Sequence, residues 1–160
     1  MHGYVVAINE LEYVMMPAQA GDSVFKYMSA TDEWKEMAGL SGVYPQEWSH
    51  WGYTYDESNN LLLIADGDKL HSLNFAKETK TARPLSLDFQ VDSMIVVDAK
   101  IHLFGYKGGR ENKDIHCLVD RDTLEMTTDT LNPVAVGGDL RSIMHQQSGD
   151  RIILYKTFLS

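Results

Sequence analysis

Apolar and polar residues alternate along most of the chain in short runs, and polar turns break the runs at regular intervals. Residues 24–34 (VFKYMSATDEW), 70–80 (LHSLNFAKETK) and 115–125 (IHCLVDRDTLE) align without gaps at offsets of 46 and 45. In each, an alternating run ends in a polar turn. A fixed period of about 40–50 residues marks a repeat architecture. Period-two alternation over four to eight residues marks a half-buried strand. Extended outward, the pattern predicts strands over 4–8, 12–16, 24–29 and 34–37, then over 51–55, 61–64, 70–75 and 81–85. A third set covers 91–97, 101–104, 115–119 and 124–128, and a fourth begins with 141–145 and 151–155. Every repeat has the same grammar: strand, turn, strand, longer loop, strand, turn, strand. No segment carries a convincing helical period.

Four antiparallel strands per repeat predict an all-β fold, a β-propeller segment of four-stranded blades. The blades fall at about 3–39, 48–86 and 90–130, with a partial one at 140–160, in a single domain. A closed propeller has at least about four blades, whereas 160 residues hold about three and a half repeats. The chain is therefore expected to be a fragment of a longer propeller, or to complete a ring with another chain. An open edge would also invite self-association.

Composition narrows the partners. The 14 basic and 23 acidic residues give a net charge of −9, which disfavours a nucleic-acid backbone or an anionic membrane surface. No apolar run is long enough to span a bilayer, and the first residues, MHGYVVAINELEY, lack the basic start of a signal peptide. One cysteine, Cys117, cannot form an internal disulfide. These features point to a reducing, cytoplasmic setting.

The third repeat resembles the kelch family: Ile101-His102-Leu103-Phe104-Gly105, Gly108-Gly109, Asp114-Ile115-His116 and Asp122-Thr123-Leu124. The first repeat supplies Tyr27 and Trp34 roughly where that family has its Tyr and Trp. The motif is degenerate: the glycine pair is absent from the first repeat and reduced to Gly67 in the second, and the Trp becomes Lys80 and Glu125. The resemblance implies protein binding, with Trp34 covering the seam between adjacent blades.

No motif supplies catalytic chemistry. There is no nucleophile elbow, phosphate loop or nucleotide fingerprint, and no His-x-x-x-His or Cys-x-x-Cys spacing. His71 and His116 take equivalent places in the alignment, with Phe25 in the first repeat, which favours packing over ligation. His102 and His116 are candidate cross-strand neighbours without a third ligand. The acidic turns at 56–57, 66–68 and 120–122 lack the spacing of a calcium loop and read as turn chemistry. No catalytic residue, metal or cofactor is expected.

Binding is the natural use. The loops after each second strand and the connectors between repeats should open on one face, where a rigid scaffold presents recognition residues. Tyr44, Trp48 and Tyr106 are candidate aromatic anchors. Asp66, Asp68, Lys107, Arg110 and Arg141 are candidate polar contacts. The expectation is an adaptor or scaffold that binds a protein. The alternatives are part of a propeller enzyme such as a kelch-containing oxidase, or a structural subunit docked by its open edge.

Overall fold

A computed structural model of the chain describes residues 4–16, 23–41, 52–107, 115–127, 143–148 and 151–156. These residues are all-β apart from one 3-10 turn, Ala38–Leu40. The first sheet contains β1 (Tyr4–Ala7), β2 (Glu12–Met16), β3 (Phe25–Met28) and β4 (Glu33–Glu36). The second contains β5 (Gly52–Asp56), β6 (Leu61–Asp66), β7 (Lys69–Asn74) and β8 (Thr79–Pro84). The third contains β9 (Gln90–Val97), β10 (Lys100–Tyr106), β11 (Ile115–Asp120) and β12 (Met126–Thr127), and a hairpin, β13 (Ile143–Ser148) and β14 (Arg151–Lys156), follows. In every sheet the strands lie in chain order, so each pairs with its sequence neighbours. The strands expected from the alternation all appear, with ends shifted by up to three residues.

Alternation explains the first sheet. Val6, Val14 and Met16 are buried on one face, and Val5 and Met15 on the other are exposed. The second strands of the next two sheets differ. Leu62, Leu63, Ile64 and Ala65 are buried consecutively in β6, as are Leu103 through Tyr106 in β10. Successive side chains point to opposite faces, so such a run requires cover on both.

The chain gathers into two compact units. One comprises the first sheet with residues 55–63 and 70–83. There Lys35 pairs with Glu78 at 2.6 Å, and the Lys80 ammonium donates to the Ser41 carbonyl at 2.7 Å. Gly39 lies so close to the Glu78 carbonyl oxygen that an added Cβ would sit 2.1 Å from it. The other unit comprises residues 50–54, 64–69 and everything from 84 onward. There Gly52 of β5 lies against β9: a Cβ on it would meet the Val91 side chain at 2.5 Å and that of Met94 at 3.4 Å.

The turns define the repeat more sharply than the side chains do. Asp32, Glu78 and Leu124 adopt left-handed backbone (φ 55°, 52° and 61°) and lie 46 residues apart at each step. Asn74 and Asp120 also lie 46 apart, and each accepts a backbone N–H three residues on, from Lys77 at 2.8 Å and Thr123 at 3.0 Å. The offset of 45 is therefore one residue short between the second and third repeats. A one-residue slip moves a strand side chain to the opposite face. Cys117, and not His116, takes the place of His71 and Phe25.

Trp34 covers no seam among the described residues. It is 57% exposed, and its ring lies against Tyr27 with centroids 4.9 Å apart. The acidic turns have a structural use. Asp56 accepts from the Asn59 side-chain amide at 2.7 Å, and Asp120 accepts from both Asp122 and Thr123 backbone N–H groups.

Those two amides and the Lys100 ammonium, 3.1 Å away, hold the Asp120 carboxyl at about 2, below its ordinary 3.8. The backbone bond from Thr123 is the largest cause. A depressed carboxyl stabilises the fold fully above its unfolded value, and that contribution is lost as pH falls toward the folded one. Unfolding midpoints should therefore decline between about pH 4 and pH 2. Asp120→Asn, which keeps the acceptor oxygen, should flatten that decline when denaturant titrations are run across the interval.

Candidate functional site

One groove of about 430 Å³ opens within the second unit, lined by Gly67, Leu87, Asp88, Phe89, Gln90, Tyr106 and Lys107. It joins three parts of the chain: the β6–β7 turn, the connector between the second and third sheets, and the end of β10. These are the loop classes that the repeat grammar places on one face.

Backbone contacts hold the parts together. The Leu85 N–H donates to the Asp68 carbonyl at 2.7 Å, tying the connector to the β6–β7 turn. The register of β9 and β10 shifts between Phe104 and Gly105, so that Gly105 faces Val91 and Tyr106 faces Gln90. At Gly105 the strand meets the connector without room for a side chain: a Cβ would lie 1.9 Å from the Gln90 carbonyl oxygen and 2.8 Å from the Phe89 ring. Gly67 closes its turn at φ 55° with open space around it. The left-handed region explains a glycine there.

Across the rim, the Lys107 ammonium donates to Asp88 at 2.5 Å. That bond holds the Asp88 carboxyl below its ordinary 3.8. Both side chains are mostly exposed, so the pair is readily exchanged for a charged group on a ligand and contributes little to stability. The groove thus offers Leu87, Phe89 and Tyr106 among polar neighbours, and one charge of each sign.

The expected site residues separate. Lys107 lines the groove. Tyr106 does too, but as a wall and not as an exposed anchor: it is 4% exposed, because the register shift carries β10 two residues beyond Phe104. The expected loop at 65–69 is a two-residue turn. Ala65 and Asp66 belong to β6, and Asp66 is half-buried at its end. Asp68 is exposed beside Gly67, with its carbonyl engaged by Leu85. Tyr44, Trp48, Arg110 and Arg141 lie outside the described residues. Asp88 and Phe89 were not singled out from the sequence; their place in the connector at 86–90 was the available signal.

His102 and His116 do meet, diagonally across β10 and β11. The His102 Nδ1 and the His116 Nε2 lie 3.1 Å apart with the rings tilted by only 19°, so one ring N–H donates to the other ring. Phe104 stacks on His116 at 4.5 Å. No group of three or more His, Cys, Asp or Glu side chains among the described residues is arranged to hold a metal ion. Burial pushes the Cys117 thiol up, away from a nucleophilic thiolate.

No protein-family model and no curated protein sequence matches the chain. Solved structures do. The extracellular domain of the putative one-component system BT4673 from B. thetaiotaomicron superposes with a TM-score of 0.56 at 17% identity, over 95% of this chain and 19% of that one. The extracellular domain of the putative hybrid two-component system BT4673 from B. thetaiotaomicron gives 0.55 at 16% identity, over 96% and 19%. The chain thus spans about a fifth of the length of these solved chains. At such identity the likeness concerns the fold alone. Among the described residues, no helix is long and apolar enough to cross a membrane.

Two outcomes follow from this geometry. Gly105→Ala should destabilise the chain by about 2 kcal/mol or more, because a backbone oxygen has nowhere to move. Gly67→Ala should cost about 1 kcal/mol, for its backbone angle alone. Chemical denaturation of both variants checks the ranking. Burial also lowers the pKa of both His102 and His116 below 6.5, and the neighbouring His102 adds to the effect at His116. Their unfolded forms bind protons first, so stability should fall as pH drops below about 6.5. A His102→Gln/His116→Gln chain should lose that step in a pH series of thermal melts.

Proposed function

We propose that the chain is a segment of a kelch-like β-propeller in a longer polypeptide, and that it binds a protein partner through the groove between residues 87–90 and 106–107. The observation that carries this reading is the groove itself: the β6–β7 turn, the connector and the end of β10 converge there, with Leu87, Phe89 and Tyr106 beside an exchangeable ion pair. A scaffold of stacked sheets supports such a site, since its position is fixed by buried strands and its chemistry by short loops. Leu87 and Phe89 suit an aliphatic or aromatic side chain of the partner, and Asp88 and Lys107 suit charged groups flanking it. The acidity of the whole chain, −9, favours a basic partner segment.

The cytoplasmic setting drawn from composition competes with a second reading, in which the chain belongs to an extracellular sensory domain. Both solved neighbours are described as extracellular domains of putative signalling systems, and this observation favours it. The groove would then take the ligand that such a domain senses. Surface labelling of intact source cells separates the two settings.

Selection of peptides from a displayed random library against the chain tests the groove. Enriched peptides should carry an apolar residue next to a basic one. A Phe89→Ala/Lys107→Glu chain should bind them at least tenfold more weakly or with altered charge preference, with little change in its melting temperature. Peptides that bind wild type and variant equally would place recognition elsewhere.

A further inference from the structure

The first sheet presents an open apolar face. Val5 lies opposite Met15, Met15 opposite Phe25, Tyr13 opposite Tyr27 and Tyr27 opposite Trp34. Paired residues share a face, so these side chains form one continuous patch. Val5 is 62% exposed and Met15 39%, and Tyr13, Phe25 and Tyr27 are half-buried. The opposite face, with Val6, Val14 and Met16, is core.

The 46-residue register of the turns identifies the corresponding face of the third sheet. Tyr27 corresponds to Val119 and Phe25 to Cys117, and through strand pairing Met15 corresponds to Leu103, Tyr13 to Ile101 and Val5 to Met94. All five of those partners are buried. Beside Met94 lies Gly52, a residue of the preceding sheet. The same face is thus an inter-sheet core in one repeat and bare in another.

We infer that the open face of the first sheet is a stacking interface, and that its occupant is a further four-stranded sheet of the same repeat on the same polypeptide. The sheet-on-sheet contact of Met94 with Gly52, at the equivalent place of the third sheet, argues for the kind of occupant. Size argues for its source. Four short strands span about 19 Å by about 13 Å, far below the roughly 800 Å² per partner that a stable association between separate chains needs. A tethered sheet meets the face at an effective concentration in the millimolar range, where so small a contact suffices. The occupant also gives Trp34 a seam to cover, as its aromatic row with Tyr27 and Tyr13 prepares it to do. This inference rests on the stacked-repeat reading and is independent of the groove, so loss of peptide binding would leave it untouched.

Methionine oxidation by dilute peroxide, read residue by residue by mass spectrometry, tests it. In the 160-residue chain Met15 should oxidise at least tenfold faster than Met16 and Met94, which are fully buried. In the natural polypeptide purified from its own cells, Met15 should slow to the rate of Met94. Equal Met15 rates in both preparations would overturn the inference. So would protection that grows with the concentration of the 160-residue chain, which would make a second copy the occupant.

Discussion

A sheet whose second strand is apolar on both faces cannot stand alone in water. Residues 62–65 of β6 impose that condition, because four consecutive buried side chains alternate between two faces and both must be covered, and in β10 Leu103, Phe104 and Tyr106 are buried around Gly105. Burying such side chains stabilises by roughly 1.5–3 kcal/mol each, which no single four-stranded sheet collects by itself. Both faces must therefore be covered by other parts of the chain, and the connector after β8 is tied to the β6–β7 turn by the Leu85–Asp68 backbone bond. The groove is a product of this requirement. Its walls are the β6–β7 turn, the end of β10 and the connector between the second and third sheets, which the buried strands hold in place.

Alternation made the strands legible, since period two and polar breaks are local properties of the chain. A spacing of 46 and then 45 residues was legible for the same reason. What escaped depended on pairing. The register shift at Gly105 extends β10 and buries Tyr106, and nothing in Phe104-Gly105-Tyr106 announces it. The tight turn at Gly67 was read as a longer loop, because the acids around it resemble loop residues. His116 was placed level with His71 on sequence likeness, and only the turn geometry revealed the slip. The ion pair of Asp88 with Lys107 joins residues of different elements, and sequence separation hides such partners. Half of the expected contact residues, Tyr44, Trp48, Arg110 and Arg141, lie outside the described residues.

The paired histidines show how a half-buried position beside the core accepts polarity. One nitrogen of each imidazole pairs with the other ring, and Phe104 stacks on His116. A buried polar group with a partner is tolerable, whereas the same group alone is costly. The cost appears on protonation, when two rings in contact compete for a single bonding arrangement. The pair therefore links the packing of the third sheet to mild acidity without taking part in the groove.

The left-handed residues carry a last consequence. At the same point of three successive hairpins the chain uses Asp32, Glu78 and Leu124. An acid, a longer acid and a branched hydrocarbon have little in common, yet all three adopt one backbone conformation that side chains disfavour. The copies have kept a shape and let the letter drift. A comparison of letters sets the third turn one residue out of step, and one that superposes backbones sees the same turn three times. For a chain of this kind, kinship will be recovered from geometry well after it has faded from the alphabet.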